Sequence, residues 1–141
     1  MALLGFWLAH ALTVKRERRK EAGEICEQIE ELAEKALESA LAGWGAAIGA
    51  ERTSATYRAK WDAQKLGLAV TRLHNKTSDA FHTGINLIEA AATFRTALFD
   101  DPTEDFFDSS RASIGGKEAA LHGAMSTFIA RANQLRDIVL R

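Results

Sequence analysis

Between Ala22 and Ala40 the apolar residues recur at helical spacing. Ala22, Ile25, Ile29, Leu32, Ala36 and Ala40 make a seam that Cys26, Ala33 and Leu37 widen, while Glu27, Glu30, Glu31, Glu34, Lys35 and Glu38 occupy the other side. A stripe three to four residues apart with charges opposite it predicts an amphipathic helix, here from Lys15 to about Leu41. If the helix is continuous from Ala2, it extends about 60 Å. Gly43, Gly45 and Gly49 then interrupt the pattern, and Ala42–Glu51 reads as a turn in which Trp44 and Ile48 close the end of the core.

A second helix is predicted from about Thr53 to Leu73, burying Tyr57, Trp61, Leu66, Val70 and Leu73. The polar run after Asn75 breaks it, with Thr77 or Ser78 placed to cap a third helix that reaches about Phe99 through Phe81, Ile85, Ile88, Ala92 and Leu98. A single bent helix over residues 53–99 stays open as an alternative. Asp101-Pro102 has the form of an N-cap followed by proline at the first helical position, which predicts one or two turns as far as Phe107. After Gly115-Gly116, Leu121, Met125, Phe128, Ala132, Leu135 and Val139 alternate spacings of four and three. That regular seam suits an antiparallel bundle or a short coiled coil over Lys117–Leu140. Together these predict an all-α fold of three to four antiparallel amphipathic helices, a helical bundle with a long N-terminal helix. There is no strand-like alternation, and the single proline in 141 residues agrees with helix throughout.

Two segments follow: an apolar stretch over residues 1–14, and one helical domain over 15–141. Ala2–Val14 has no charged residue and His10 is its one ionisable group; Lys15-Arg16-Glu17-Arg18-Arg19-Lys20 follows immediately. As a helix the apolar part spans roughly 20 Å, against about 30 Å of bilayer hydrocarbon, so a crossing would need bilayer thinning or snorkelling by Lys15 and Arg16. No base precedes the run, which does not suit a secretory signal. Inserted as a membrane anchor, it places Phe6 and Trp7 in or at the edge of the apolar layer, while Lys15, Arg16, Arg18, Arg19 and Lys20 fix topology. The body then lies on the cytoplasmic side of the inner membrane. Two other placements remain: burial in this fold or a homo-oligomer, or docking on a partner, either with a soluble cytoplasmic chain. A helix apolar on every side must be covered somewhere.

The remaining chemistry is sparse. Net charge is −1 with a pI near 6.4, and aromatics do not interleave with bases as a single-strand groove requires, so no nucleic acid is expected. The one cysteine, Cys26, precludes an internal disulfide or thiolate cluster, and its neighbours Glu24 and Glu27 argue against a reactive thiolate. Asp100, Asp101, Glu104, Asp105 and Asp108 lack EF-hand spacing. His10, His74, His82 and His122 form no zinc or di-iron pattern, although Glu118 and His122 are helical neighbours. Gly115-Gly116-Lys117 is an incomplete P-loop, and no nucleophile motif is present. We expect neither an enzyme nor a cofactor or metal, but a protein that binds a protein partner or itself, with membrane lipid as a further partner through residues 1–20.

The apolar start running into Lys15-Arg16-Glu17-Arg18-Arg19-Lys20-Glu21 resembles small uncharacterised bacterial and prophage proteins with a short N-terminal anchor and an Arg/Lys-rich helix. The resemblance covers the first quarter of the chain. The reading it supports is a small membrane-tethered helical interaction or scaffold protein, non-enzymatic. The alternative is a soluble helical bundle or homo-oligomer acting as a phage-type inhibitor or adaptor that binds a host protein.

Overall fold

The computed structural model describes the backbone of residues 2–81 and 86–140, and all their side chains except those of residues 78–81, 139 and 140. Four helices follow one another: α1 (Ala2–Gly45), α2 (Ala50–Phe81), α3 (Leu87–Phe99) and α4 (Glu118–Leu140). The expected all-α bundle is what forms. Gly49, at φ +138°, makes the tight reversal between α1 and α2, a backbone state that side chains resist. Pairings across the bundle fix its up-down-up-down course. Ser39 meets Asp62 and Glu21 meets Lys76 between α1 and α2, and Trp44 meets Leu98 at the end of α3. Arg136 on α4 comes back beside Glu27.

All the predicted seam residues of α1 are buried. They face α2 through small side chains on both helices: Ala33, Ala36 and Ala40 on one, Ala59, Ala63 and Ala69 on the other, with Leu66, Val70 and Leu73 filling what remains. Alanine faces let helix axes approach closely. Tyr57 and Trp61, expected in the core, lie about half a turn round α2 from Leu66, Val70 and Leu73 and are 74 % and 54 % exposed on its outer side. Ile48, expected to cap the core, is exposed in the loop.

α2 also runs beyond its expected end. Thr77 does not cap a new helix; it lies buried inside α2, its hydroxyl donating to the Leu73 carbonyl at 2.8 Å. The cap of α3 is Asn86, whose Oδ1 accepts from Glu89 N at 3.0 Å. This separate cap rules out one bent helix over residues 53–99. The buried face of α3 is Leu87, Ala91, Phe94 and Leu98, whereas Ile88 and Ala92 are exposed. The expected core positions Phe81 and Ile85 lie outside the described residues, Phe81 by its side chain alone. On α4, Leu121, Phe128, Ala132 and Leu135 are buried as expected and Met125 partly so; the Val139 side chain lies outside the described residues. Phe128 stacks on Phe94 with ring centroids 5.2 Å apart.

Residues 100–117 form no helix, contrary to the reading of Asp101-Pro102. Asp101 Oδ1 does accept from the amides of Thr103 and Glu104, as an N-cap would. The same short-range bonding then repeats at Asp105 to Phe107 N and Asp108 to Ser110 N, giving successive turns in place of a helical ladder. This segment wraps the C-terminal end of α1. Phe106 inserts against Gly43, where a Cβ would lie 2.6 Å from its ring, and meets Trp44 edge-on at 5.0 Å. Two buried arginines complete the join. Arg111 donates to the carbonyls of Gly43, Trp44 and Phe106, and Arg52 donates to those of Ala46, Ser109 and Arg111. A helix leaves its last carbonyls without internal partners, and guanidinium groups satisfy them here.

Replacing Arg111 with Met keeps much of the volume but strands those carbonyls. We expect a loss of about 3 kcal/mol in chemical denaturation; a change within about 0.5 kcal/mol would show that water caps the helix as well as arginine does. Asp101 provides a pH test. Its carboxylate is 2.6 Å from Lys117 Nζ and also accepts from Thr103, and these bonds, the lysine's foremost, hold its pKa well below the ordinary carboxylate range. Because the folded value is depressed, the stabilisation is complete above about pH 4 and is lost as pH falls through the folded value. Asp101→Asn should therefore melt lower than wild type at pH 7, with the gap closing under acid. A gap unchanged down to pH 2 would exclude the carboxylate charge as its source.

Candidate interaction surface

The apolar N-terminal run is not packed into this fold. It is the first part of α1, and every residue from Ala2 to Thr13 is exposed. Leu3, Leu4, Phe6, Trp7, Leu8 and Leu12 are between 54 % and 75 % exposed. Burial of this helix within its own bundle, one of the placements open from sequence, is therefore corrected. The helix holds its form by local means: Thr13 donates to the Ala9 carbonyl at 2.9 Å, and Phe6 lies parallel to His10 one turn on, with centroids 6.4 Å apart.

Where this arm meets the bundle, Lys15, Arg16, Arg18 and Lys20 are exposed and Arg19 half-buried. Glu21 is drawn to Lys76 of α2 at 2.5 Å, an ion pair that lowers its pKa and joins α2 to α1 just below these bases. The sequence-predicted residues Phe6, Trp7, Lys15, Arg16, Arg18, Arg19 and Lys20 thus share one continuous helix: an uncovered apolar rod ending in a basic collar. No helix among the described residues is long and apolar enough to cross a membrane.

Of the other predicted set, Leu121, Phe128 and Leu135 are buried inside the bundle and Met125 partly so, while the Val139 side chain lies outside the described residues. The buried ones hold α4 to its neighbours. Among the described residues no group of three or more His, Cys, Asp or Glu side chains converges on a point where a metal ion would sit. His82 lies outside the described residues, and Glu118 and His122 are both exposed on α4. In the 100–117 segment the carboxylate of Asp101 is engaged with Lys117 and with backbone amides, and those of Asp105 and Asp108 with backbone amides. A shallow cleft between α3 and α4, lined by Glu89, Thr93, Thr127 and Arg131 over Phe94 and Phe128, brings no nucleophile against a base.

Sequence reasoning missed one surface. The outward side of α2 carries Tyr57, Trp61 and Leu68, all more than half exposed, with Arg58, Lys65 and Arg72 beside them. A signal for it exists: Tyr57, Trp61 and Leu68 form a second apolar frame of α2, offset by about half a turn from the buried one.

Cys26 is buried among the α1 seam residues, and burial pushes its thiol up to about 11, with Glu27 adding a smaller upward push. A thiol so placed is neither ionised nor reachable at neutral pH. A thiol reagent should label it only after denaturation; stoichiometric labelling of the native chain within minutes would show that α1 opens locally. No family model, curated protein or solved structure matches the chain.

Proposed function

We propose that this chain is a non-enzymatic, membrane-tethered helical interaction protein whose α1 arm holds the bundle at a lipid surface. The observation that carries this reading is the exposed apolar rod of residues 2–14 joined without a break to the basic collar of residues 15–20. Water does not tolerate so large an apolar patch without cost. At about 25 cal/mol per Å² of apolar surface, covering the arm yields many kcal/mol. The collar selects what covers it, since each base near anionic lipid contributes about 1 kcal/mol.

The arm suits one leaflet. Helices that lie flat in the interface have a polar side facing water, and this arm has none. It enters steeply, and its roughly 20 Å exceeds the roughly 15 Å of a single hydrocarbon leaflet by little more than one turn. Because α1 is one unbroken helix, the bundle stands out from the surface, with Phe6 and Trp7 in the lipid and the collar among the headgroups. By the bias of bases toward the cytoplasmic face, the body lies on that side. A second reading rests on the same exposed arm: in a soluble homo-oligomer, arms of several copies would cover one another.

Flotation with vesicles separates the two. The full chain should bind phosphatidylglycerol-containing vesicles and bind pure phosphatidylcholine at least tenfold less. Trp7→Glu with Leu8→Glu should abolish binding, and neutralising the five collar bases to Gln should weaken it more than tenfold. A chain that stays monodisperse in detergent-free buffer and does not float with either vesicle would sink the anchor reading. A discrete detergent-sensitive oligomer that ignores vesicles would establish the second.

A further inference from the structure

We propose that the outward face of α2 is a docking seam for an amphipathic partner helix flanked by acidic residues. This rests on the tethered-interaction reading above and supplies the partner's chemistry. Tyr57, Trp61 and Leu68 lie one, and then two, turns apart on one stripe of α2, and they are 74 %, 54 % and 67 % exposed. Spacings of four and seven put all three on one face of a helix, with the polar Gln64 at the intervening turn. Arg58, Lys65 and Arg72 recur every seventh residue along one flank, all exposed. The Lys65 ammonium reaches back to 5.5 Å from the centre of the Trp61 ring. Lys60 stands on the opposite flank, so neither side of the middle of the seam offers an acid. Aromatic anchors with arginine beside them are the composition that concentrates binding energy in interfaces.

Charge decides the occupant. A second copy of α2, parallel or antiparallel, would set bases against bases and is disfavoured. The solvent face of α1 in a second copy has the right charge but presents Glu27, Glu31, Glu34 and Glu38 with no apolar ridge to cover Trp61. What fits is a separate helix with apolar residues at the seam and carboxylates in heptad register on its edges. Geometry sets lipid aside for the aromatic part of the seam, although Arg72 lies one turn from Lys76 near the collar. Lys76 pairs with Glu21 beside the collar, and Trp61 lies roughly 22 Å further along the axis from that point. With the arm steep in a leaflet, Tyr57 and Trp61 face sideways, beyond the roughly 8–10 Å reach of lipid charge. The hollow beside Tyr57 and Trp61 is lined by residues of α2 alone, with no facing element to close a groove around a nucleic-acid strand.

The test uses the full chain in zwitterionic detergent without lipid, titrated with two synthetic four-heptad helices. Both carry Leu at the seam; one has Glu at the flanks and the other Lys. The Glu-flanked peptide should bind at least tenfold tighter than the Lys-flanked one. Trp61→Ala, on an exposed site with an unchanged melting curve, should cost at least tenfold. Arg58→Glu, Lys65→Glu and Arg72→Glu together should reverse the preference. Equal binding of the two peptides, or a preference that survives charge reversal, overturns the proposal. So does a reversal variant that loses anionic vesicles as completely as the collar variant, or a single-stranded oligonucleotide that competes with the peptide at equal concentration. A chain that ignores vesicles yet prefers the Glu-flanked peptide refutes the anchor alone.

Discussion

The rest of the structure depends on how the C-terminal end of α1 is finished. A long helix that stops inside a bundle exposes its last carbonyls where water is scarce, and buried carbonyls must be paired. Here two cations supply the donors. Arg111 and Arg52 are each 2 % exposed, and the carbonyls of Gly43, Trp44 and Ala46 accept from one or the other. The arginines come from two separate places downstream of α1, one at the start of α2 and one in the segment before α4. Satisfying the helix end therefore fixes both of its neighbours. Burial, and secondarily the nearby Arg52, lowers the pKa of Arg111, yet a guanidinium remains charged, so the join does not dissolve near neutrality. Trp44 sits at the centre: its indole N–H donates to Leu98 O at 2.8 Å, the Arg111 guanidinium lies 4.8 Å from its ring centre, and Lys117 Nζ lies 4.2 Å away. Lys117 in turn holds Asp101 and the Asp100 carbonyl, tying the start of α4 to the end of α3. Three segments, α1, α3 and residues 100–117, meet on one tryptophan.

That join lies at the opposite end of α1 from the uncovered arm. The buried surface of α1 starts at Ala22 and ends at Trp44, and the anchoring contacts gather at the far end from the arm. Residues 2–13 are helical because a helix, once nucleated by the packed part, adds residues at little cost. The arm is an extension of a secured rod, free to present its apolar sides elsewhere.

How much of this was legible follows from what each face packs against. The α1 and α4 seams could be read because each helix has one apolar stripe and a clearly polar remainder, so period and burial coincide. α2 has two stripes. One is built from Ala59, Ala63, Leu66, Val70 and Leu73 and is buried; the other is Tyr57, Trp61 and Leu68 and is exposed. Size favours the aromatics as core, but Tyr57 and Trp61 lie about half a turn round α2 from Leu66, Val70 and Leu73, and periodicity alone does not say which of the two stripes is covered. The Arg52–Arg111 join was equally invisible, because an arginine that caps a helix end from dozens of residues away leaves no local spacing. The turns of residues 100–117 were half legible. The capping bond of Asp101 forms as Asp-Pro implies, but each following aspartate makes its own short bond and no ladder propagates. The candidate arm and its collar were readable in full as residues. That nothing in the bundle covers them was not.

The two uncovered apolar surfaces lie on different parts of the molecule and differ in kind. The arm is apolar all round, so it demands a medium that surrounds it. The α2 seam is apolar on one stripe and basic beside it, so it demands a single face of opposite charge. A helix bundle that needed only to be stable would present neither, since each invites aggregation in water. Their separation along a rigid rod has a mechanical consequence. With α1 continuous from arm to bundle, an orientation imposed on the arm, as the proposed anchoring would impose it, would be transmitted through the Glu21–Lys76 pairing and the Arg52–Arg111 join to α2. A partner helix on the seam would then be held at a set height and azimuth above the surface, which a flexible tether could not impose. Loosening the join at the end of α1 should disturb that presentation before it disturbs either contact by itself.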